Sequence, residues 1–234
     1  ISSGTSAITG INMASSTTSI ISIYRNKIFG LRSNTTSTGS VNGMIIGAAL
    51  TTYIANNLIG DLTAPAGNVT GTTDQIRGIN ITSTTASSTI NVYYNSIYLS
   101  GTSSGSIFGS TGIYHTASAT ATTATLNLIN NIIINNCVAK GTSKAAAIRR
   151  SAAATLGNYG SASNNNLLVG NNILYDGTNS YTTLSTYKTA VGPTRDANSV
   201  TEASTPFIST VGSSANYLRI DSSQTTVASN AGIA

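Results

Sequence analysis

Charge is scarce in this chain. Only 7% of its 234 residues are charged, and the acidic share is six side chains: Asp61, Asp74, Asp176, Asp196, Glu202 and Asp221. Cleavage of a glycan asks for carboxylates or a general base gathered on one exposed face, and this inventory offers little to gather. A single His and a single Cys exclude a spaced zinc set, a Ser-His-Asp triad and an internal disulfide. No Gly-rich phosphate loop is present. The expectation is therefore no enzyme activity, no catalytic residues, no metal and no cofactor. Apolar runs fall short of the roughly 18 residues that suggest a membrane-spanning helix, so no membrane insertion is expected from this piece. Eleven basic residues give a net charge of +5, but they are scattered apart from Lys140, Lys144, Arg149 and Arg150, with no aromatics interleaved. Nucleic-acid binding is not expected. The chain opens at Ile1 in a Ser/Thr-rich stretch with neither initiator Met nor signal-peptide pattern, which reads as a piece of a longer polypeptide.

What is abundant is repetition. An aliphatic residue, two variable positions, an asparagine and a second aliphatic residue two places later recur five times, around Asn26, Asn57, Asn95, Asn131 and Asn172. Three residues before the asparagine stand Ile23, Ile54, Val92, Leu128 and Val169; two after it stand Ile28, Ile59, Ile97, Ile133 and Leu174. A small residue before an apolar one runs alongside, at Gly10, Gly43, Gly78, Gly112 and Ala147, in steps of 33, 35, 34 and 35 residues. Such a period marks a repeat array. Five before the asparagine stand Ile21, Thr52, Ile90, Leu126 and Leu167, keeping the alternation of a strand buried on one face. The odd step across the asparagine breaks that alternation. The strand must bend at or beside it, where asparagine tolerates left-handed backbone angles.

Helix is a poor competitor, because the core stretches are short, rich in Ile, Val, Thr and Tyr, and bounded by Ser/Thr/Gly runs at 33–40, 63–73 and 100–105. If each repeat is one coil, equivalent residues stack about 4.8 Å apart and five coils make a rod on the order of 25 Å. The stacked amides then form a ladder, the condition on which burying them is tolerable. The reading is all-β: a right-handed parallel β-helix with an Asn ladder. Coils occupy residues 1–172, and 173–234 is a closing, capping segment of the same domain.

Few side chains point to chemistry. Cys137 lies beside the most apolar strand and reads as a small buried hydrophobe. Asp61 and Asp176 each stand four residues after a repeat asparagine, on the order of 15 Å apart, too far for a hydrolytic pair. Three residues after the small marker stand Met13, Ile46, Ile81, His115 and Arg150, an aliphatic column that turns polar. With Arg149 beside them, His115 and Arg150 suggest an anion or sugar-carboxylate pocket. The preferred account is plainer: the strand shifts register, Tyr114 turns inward and the polar groups face solvent. Thr-rich runs raise ice binding, but their register from coil to coil is loose. Three Asn-x-Thr triplets, at Asn34, Asn68 and Asn80, are expected by chance in a chain this rich in both residues.

From residue 164 a different grammar appears: Asn164-Asn165-Asn166-Leu167-Leu168, Tyr175-Asp176-Gly177-Thr178, Thr183-Leu184 followed by Tyr187-Lys188, Asp196 followed by Asn198-Ser199-Val200, Pro206-Phe207 and Tyr217-Leu218-Arg219-Ile220. This series resembles the closing section of β-helix regions in very large secreted surface proteins of the Bacteroidota, gliding-adhesin-like and exported by the type IX system. The resemblance covers about 70 residues plus the coils before them; its closing motif is altered here, at residues 224–232, ending Asn230-Ala231-Gly232. It implies an extracellular, cell-surface location and partners among other domains of the same long chain, surface glycans or substratum. It carries over no catalytic residues. Pro206 and the alternation of Tyr217 to Ile220 suggest an edge strand that caps the stack. The functional expectation is a non-enzymatic adhesive or structural module, a rigid spacer presenting its inter-coil loops. The alternative is a carbohydrate-binding or polysaccharide-degrading β-helix, and self-association into filaments by end-to-end stacking is a further possibility.

Overall fold

The computed structural model describes residues 7–69, 73–152 and 156–229. Ile1, Thr70 of the second Asn-x-Thr triplet, and Asn230, Ala231 and Gly232 lie outside them. Three long parallel sheets, with a short fourth pairing Leu31–Arg32 to Leu62–Thr63, surround one core. The first sheet lines up Ile8–Met13, Val41–Ile46, Ile76–Ile81, Ser110–His115, Ala145–Arg150 and Asn172–Tyr175. The second holds Ile20–Tyr24, Thr51–Ala55, Thr89–Tyr93 and Thr125–Ile129. The third holds Lys27–Ile28, Leu58–Gly60, Ser96–Leu99, Ile132–Asn135 and Leu167–Gly170. The chain visits them in that order, making a parallel β-helix of about 4 turns.

Register follows the repeat. Ile23, in the second sheet, pairs with Ile54, then Val92 and Leu128; in the third sheet Ile28 pairs with Ile59, Ile97, Ile133 and then Leu168. These side chains fill a continuous core. Each fully buried one, such as Ile54 or Ile97, contributes roughly 1.5–3 kcal/mol. The bend between second and third sheets falls one residue before the asparagine: Arg25, Asn56, Tyr94, Asn130 and Asn165 all have φ between 54° and 58°. The small column has a packing cause. A Cβ on Gly78 would stand 2.6 Å from the Gly112 carbonyl oxygen and 2.7 Å from Ile97 Cγ2, where the first sheet closes on the third.

The fifth turn is curtailed. Isolated bridges from Tyr159 to Leu126 and from Asn164 to Ile129 replace its second-sheet strand, and Asn171 alone separates Leu167–Gly170 from Asn172–Tyr175. The fifth ladder position is consequently Asn166. Asn172, expected to hold it, lies in the first sheet and donates to the Ala145 carbonyl at 3.0 Å. Asp176 shares no column with Asp61, because the residue paired with Asn135 in the last coil is Gly170. Ser163 takes the aliphatic place of the true frame, its hydroxyl accepting from the Leu128 N–H at 3.1 Å.

Beyond Tyr175 the chain turns back, with Ser180–Tyr181 pairing antiparallel, and a helix at Leu184–Val191 lays Tyr187 and Val191 on the end of the core. Thr183 and Thr186 cap that helix reciprocally. The remainder is a strap rather than an edge strand. Tyr217 and Ile220 form only single bridges, to Ser209 and Phe207. Phe207, Tyr217 and Leu218 cover the apolar outer face of the third sheet, packing with Leu58, Tyr98, Ile132, Ile134 and Val169. The strap reaches the first coil, where Lys27 Nζ donates to the Ser214 carbonyl at 2.8 Å and Tyr217 Oη stands 3.5 Å from Ile28 O.

Candidate functional site

The polar end of the inner column is real and sealed. His115 pairs with Ile81 on one side and Arg150 on the other, so the register continues without the shift preferred from sequence. Both side chains are buried, and Tyr114 is the half-exposed one. An Arg150 guanidinium N–H donates to His115 Nδ1 at 2.8 Å, leaving Nε2–H to donate to the Ala124 carbonyl at 2.9 Å. The imidazole is thereby a fixed neutral tautomer. Burial, then the Arg150 charge, lowers its pKa to about 3. Burial also lowers Arg150, to about 10, which leaves it a cation at neutral pH. Its Nη2 donates to Asn158 Oδ1 at 2.7 Å, and its guanidinium sits 5.7 Å from the Tyr159 ring centre. Asn158 completes the arrangement by donating to the Thr116 and Thr123 carbonyls.

Arg149 is not part of that group. Strand alternation sends it to the outer face of the first sheet, where Nη1 meets Asp74 Oδ1 at 2.6 Å; Arg77 Nε meets Oδ2 of the same carboxylate at 3.0 Å. Arg77 lies 3.9 Å from the Tyr114 ring centre and Arg149 5.1 Å from that of Tyr175. The structure thus joins His115 to Arg150 and separates both from Arg149. The second group was hidden from sequence because Asp74 and Arg149 are 75 positions apart, and only the coil spacing aligns them.

Down the bend runs the ladder. The backbone and side-chain N–H groups of Asn26 both donate to Asn57 Oδ1, at 3.0 and 2.9 Å, and the same pair of bonds links Asn57 to Asn95, Asn95 to Asn131 and Asn131 to Asn166. Asn166 then donates to Asp196 Oδ1 at 2.9 Å. Asp196 is fully buried and also accepts from the hydroxyls of Ser199, Tyr159 and Tyr187. Burial, then the Asp196 charge, holds both phenols well above their usual range. Amides aligned head to tail polarise one another, and ending them on a carboxylate makes the last bond charge-assisted.

Comparison of the chain with protein-family models, with curated proteins and with solved structures returned no match in any of the three.

Further polar groups are engaged as well. Asp176 accepts from the Thr178 and Asn179 backbone, which lowers its pKa against the opposing effect of its burial. Glu202 accepts from Thr226, and Asp221 from Ser223 and Gln224. Cys137 Sγ accepts from the Gly101 N–H at 3.1 Å, and burial pushes the thiol up to about 11. The loops between third and first sheets also stack, with Ser103 Oγ donating to the Gly67 carbonyl at 2.6 Å and Asn68 N to Ser37 O at 3.3 Å.

Proposed function

We propose that this chain is a non-enzymatic β-helix module of a large extracellular surface or filament protein, serving as a stiff spacer whose flanks make adhesive contacts. The observation that carries the reading is the occupation of five of the six acidic side chains; the sixth, Asp61, stands exposed. Asp74 is shared by two arginines, Asp196 closes the ladder, and Asp176, Glu202 and Asp221 hold turns or the strap. A carboxylate so committed is a poor general acid or base, since proton transfer needs a group free to reach substrate. Stacked hydrogen bonds along the whole core suit a load-bearing rod.

The closing grammar of residues 164–220 supports placing the module in secreted surface proteins of the gliding-adhesin type, reached through type IX export, with sister domains of the same chain as its nearest partners. The test is incubation with a panel of neutral and acidic polysaccharides, reading new reducing ends. None are expected. Reducing ends that accumulate in proportion to protein would establish the degrading alternative instead.

A further inference from the structure

The two ends of the β-helix are finished differently. At the far end Ser180–Tyr181 turns back on Asn172–Tyr175, Tyr187 and Val191 close the core, and the amide column stops on Asp196. At the near end, among the described residues, nothing pairs with the outer side of Ile8–Met13, Ile20–Tyr24, Lys27–Ile28 or Leu31–Arg32. All four strands are therefore sheet edges. The core shows there as well. Ile11, Met13 and Leu31 are only partly buried, whereas Met44, Ile46 and Leu62, which pair with them in the next coil, are closed over. Ile20 is 69% exposed. A depression lined by Gly10, Ile11, Asn26, Ile28, Phe29 and Leu31 opens at this end.

The ladder says what fits. From Asn57 to Asn166, each Oδ1 accepts the backbone and side-chain N–H groups of the asparagine one coil earlier. Asn26 gives its own two to Asn57, but its Oδ1 accepts from no described residue. An unused acceptor, an open core and four strand edges repeat, one layer out, what the second coil presents to the first.

We propose that this end is the docking surface for one more coil of the same polypeptide, laid ahead of Ile8, with an asparagine at its bend giving both N–H groups to Asn26 Oδ1. The contact continues the one already made between the first coil and the second, which pairs parallel strands in every sheet and stacks aliphatic side chains. A second copy of this chain suits the surface poorly. Meeting it near end to near end would set Asn26 Oδ1 against another Asn26 Oδ1, acceptor on acceptor. It would also oppose the exposed Arg25, Lys27 and Arg32, the only charged residues of the first coil, with the same three cations. The far end of a copy would offer a helix and an Asp196 already engaged by Asn166, Ser199, Tyr159 and Tyr187. Ile1 to Ser6 are too few to make a coil, since each turn takes 33 to 35 residues. Such a neighbour presupposes the module's place in a longer protein, and adds which face is joined and by what chemistry.

The experiment is amide hydrogen exchange on this chain alone and on the same chain expressed with the polypeptide encoded ahead of it. Exchange within Ile8–Met13 and Ile20–Tyr24 is expected to slow about tenfold or more in the longer protein, with the last coil unchanged. Asn26→Ala should lower the urea midpoint of the longer protein as far as Asn95→Ala does, and that of the chain alone by less. Unslowed exchange in those strands, or an Asn26→Ala shift that is the same in both proteins, would overturn the assignment. So would a dimer of the chain alone that Ile20→Lys dissociates, since the face would then belong to a second copy. A different fold encoded directly ahead of Ile8 would overturn it too, and leave the long spacer protein standing. New reducing ends from a polysaccharide would instead defeat the non-enzymatic reading and leave the added coil in place.

Discussion

Asn95 accepts two bonds from Asn57, donates to Asn131 Oδ1, and also donates to the Ile54 and Tyr93 carbonyls. Asn95→Ala strands donors and acceptors in a sealed site at about 1–3 kcal/mol each, so a loss of roughly 3–5 kcal/mol in urea unfolding is expected. Asn172→Ala should cost only about 1 kcal/mol, because a single carbonyl bond is at stake; equal losses at the two positions would contradict the ladder. His115 makes stability depend on pH. Its folded pKa of about 3 lies below the ordinary 6.5, so the unfolded chain binds the extra proton. Stability is then complete above about pH 6.5 and falls, by up to about 1.4 kcal/mol per unit, as pH drops toward 3. The unfolding midpoint of the wild type should decline across that window, and that of His115→Gln should decline less. Cys137 should resist alkylation at neutral pH until the chain is unfolded, since it is buried and its thiol is held protonated.

Elements carry the bends and the close approach of sheets. Arg25 sits at φ 58°, where three of the other four coils use Asn56, Asn130 and Asn165 and the remaining one Tyr94. Arg25→Asn should therefore raise stability by about 0.5–1 kcal/mol, measurable as a shifted urea midpoint. Much of this level was legible in sequence. The aliphatic columns at Ile54 and Ile59 repeat through the first four coils, and the odd step between them required a turn beside Asn57. The last coil was not legible, because Ser163 satisfies its place with a hydroxyl rather than an alkyl chain, while Val169, Asn172 and Leu174 mimic the frame out of phase. The buried polar pair was hidden for another reason. Alternation alone places His115 and Arg150 inside, and only the curtailed fifth turn, with Asn158 and Tyr159, shows how such groups are accommodated there. Tyr98 was visible as a letter, but that its sheet is the covered one depends on where the strap runs.

At the scale of the whole molecule the strap and the cap divide the work. Removing residues 200–229 uncovers Leu58, Tyr98, Ile132, Ile134 and Val169, and a patch of that kind invites association. The shortened chain is expected to bind a hydrophobic dye and to aggregate while keeping its coils; a clean monomer would mean the strap is dispensable. In the amide column, the bonds from one asparagine to the next all run toward Asp196, so every layer gives on one side what it takes on the other. Excising residues 58–95 would leave Asn57 facing Asn131 with donors and acceptors still matched, and duplicating the same stretch would do no worse. A layer can thus be gained or lost without unpairing the column itself.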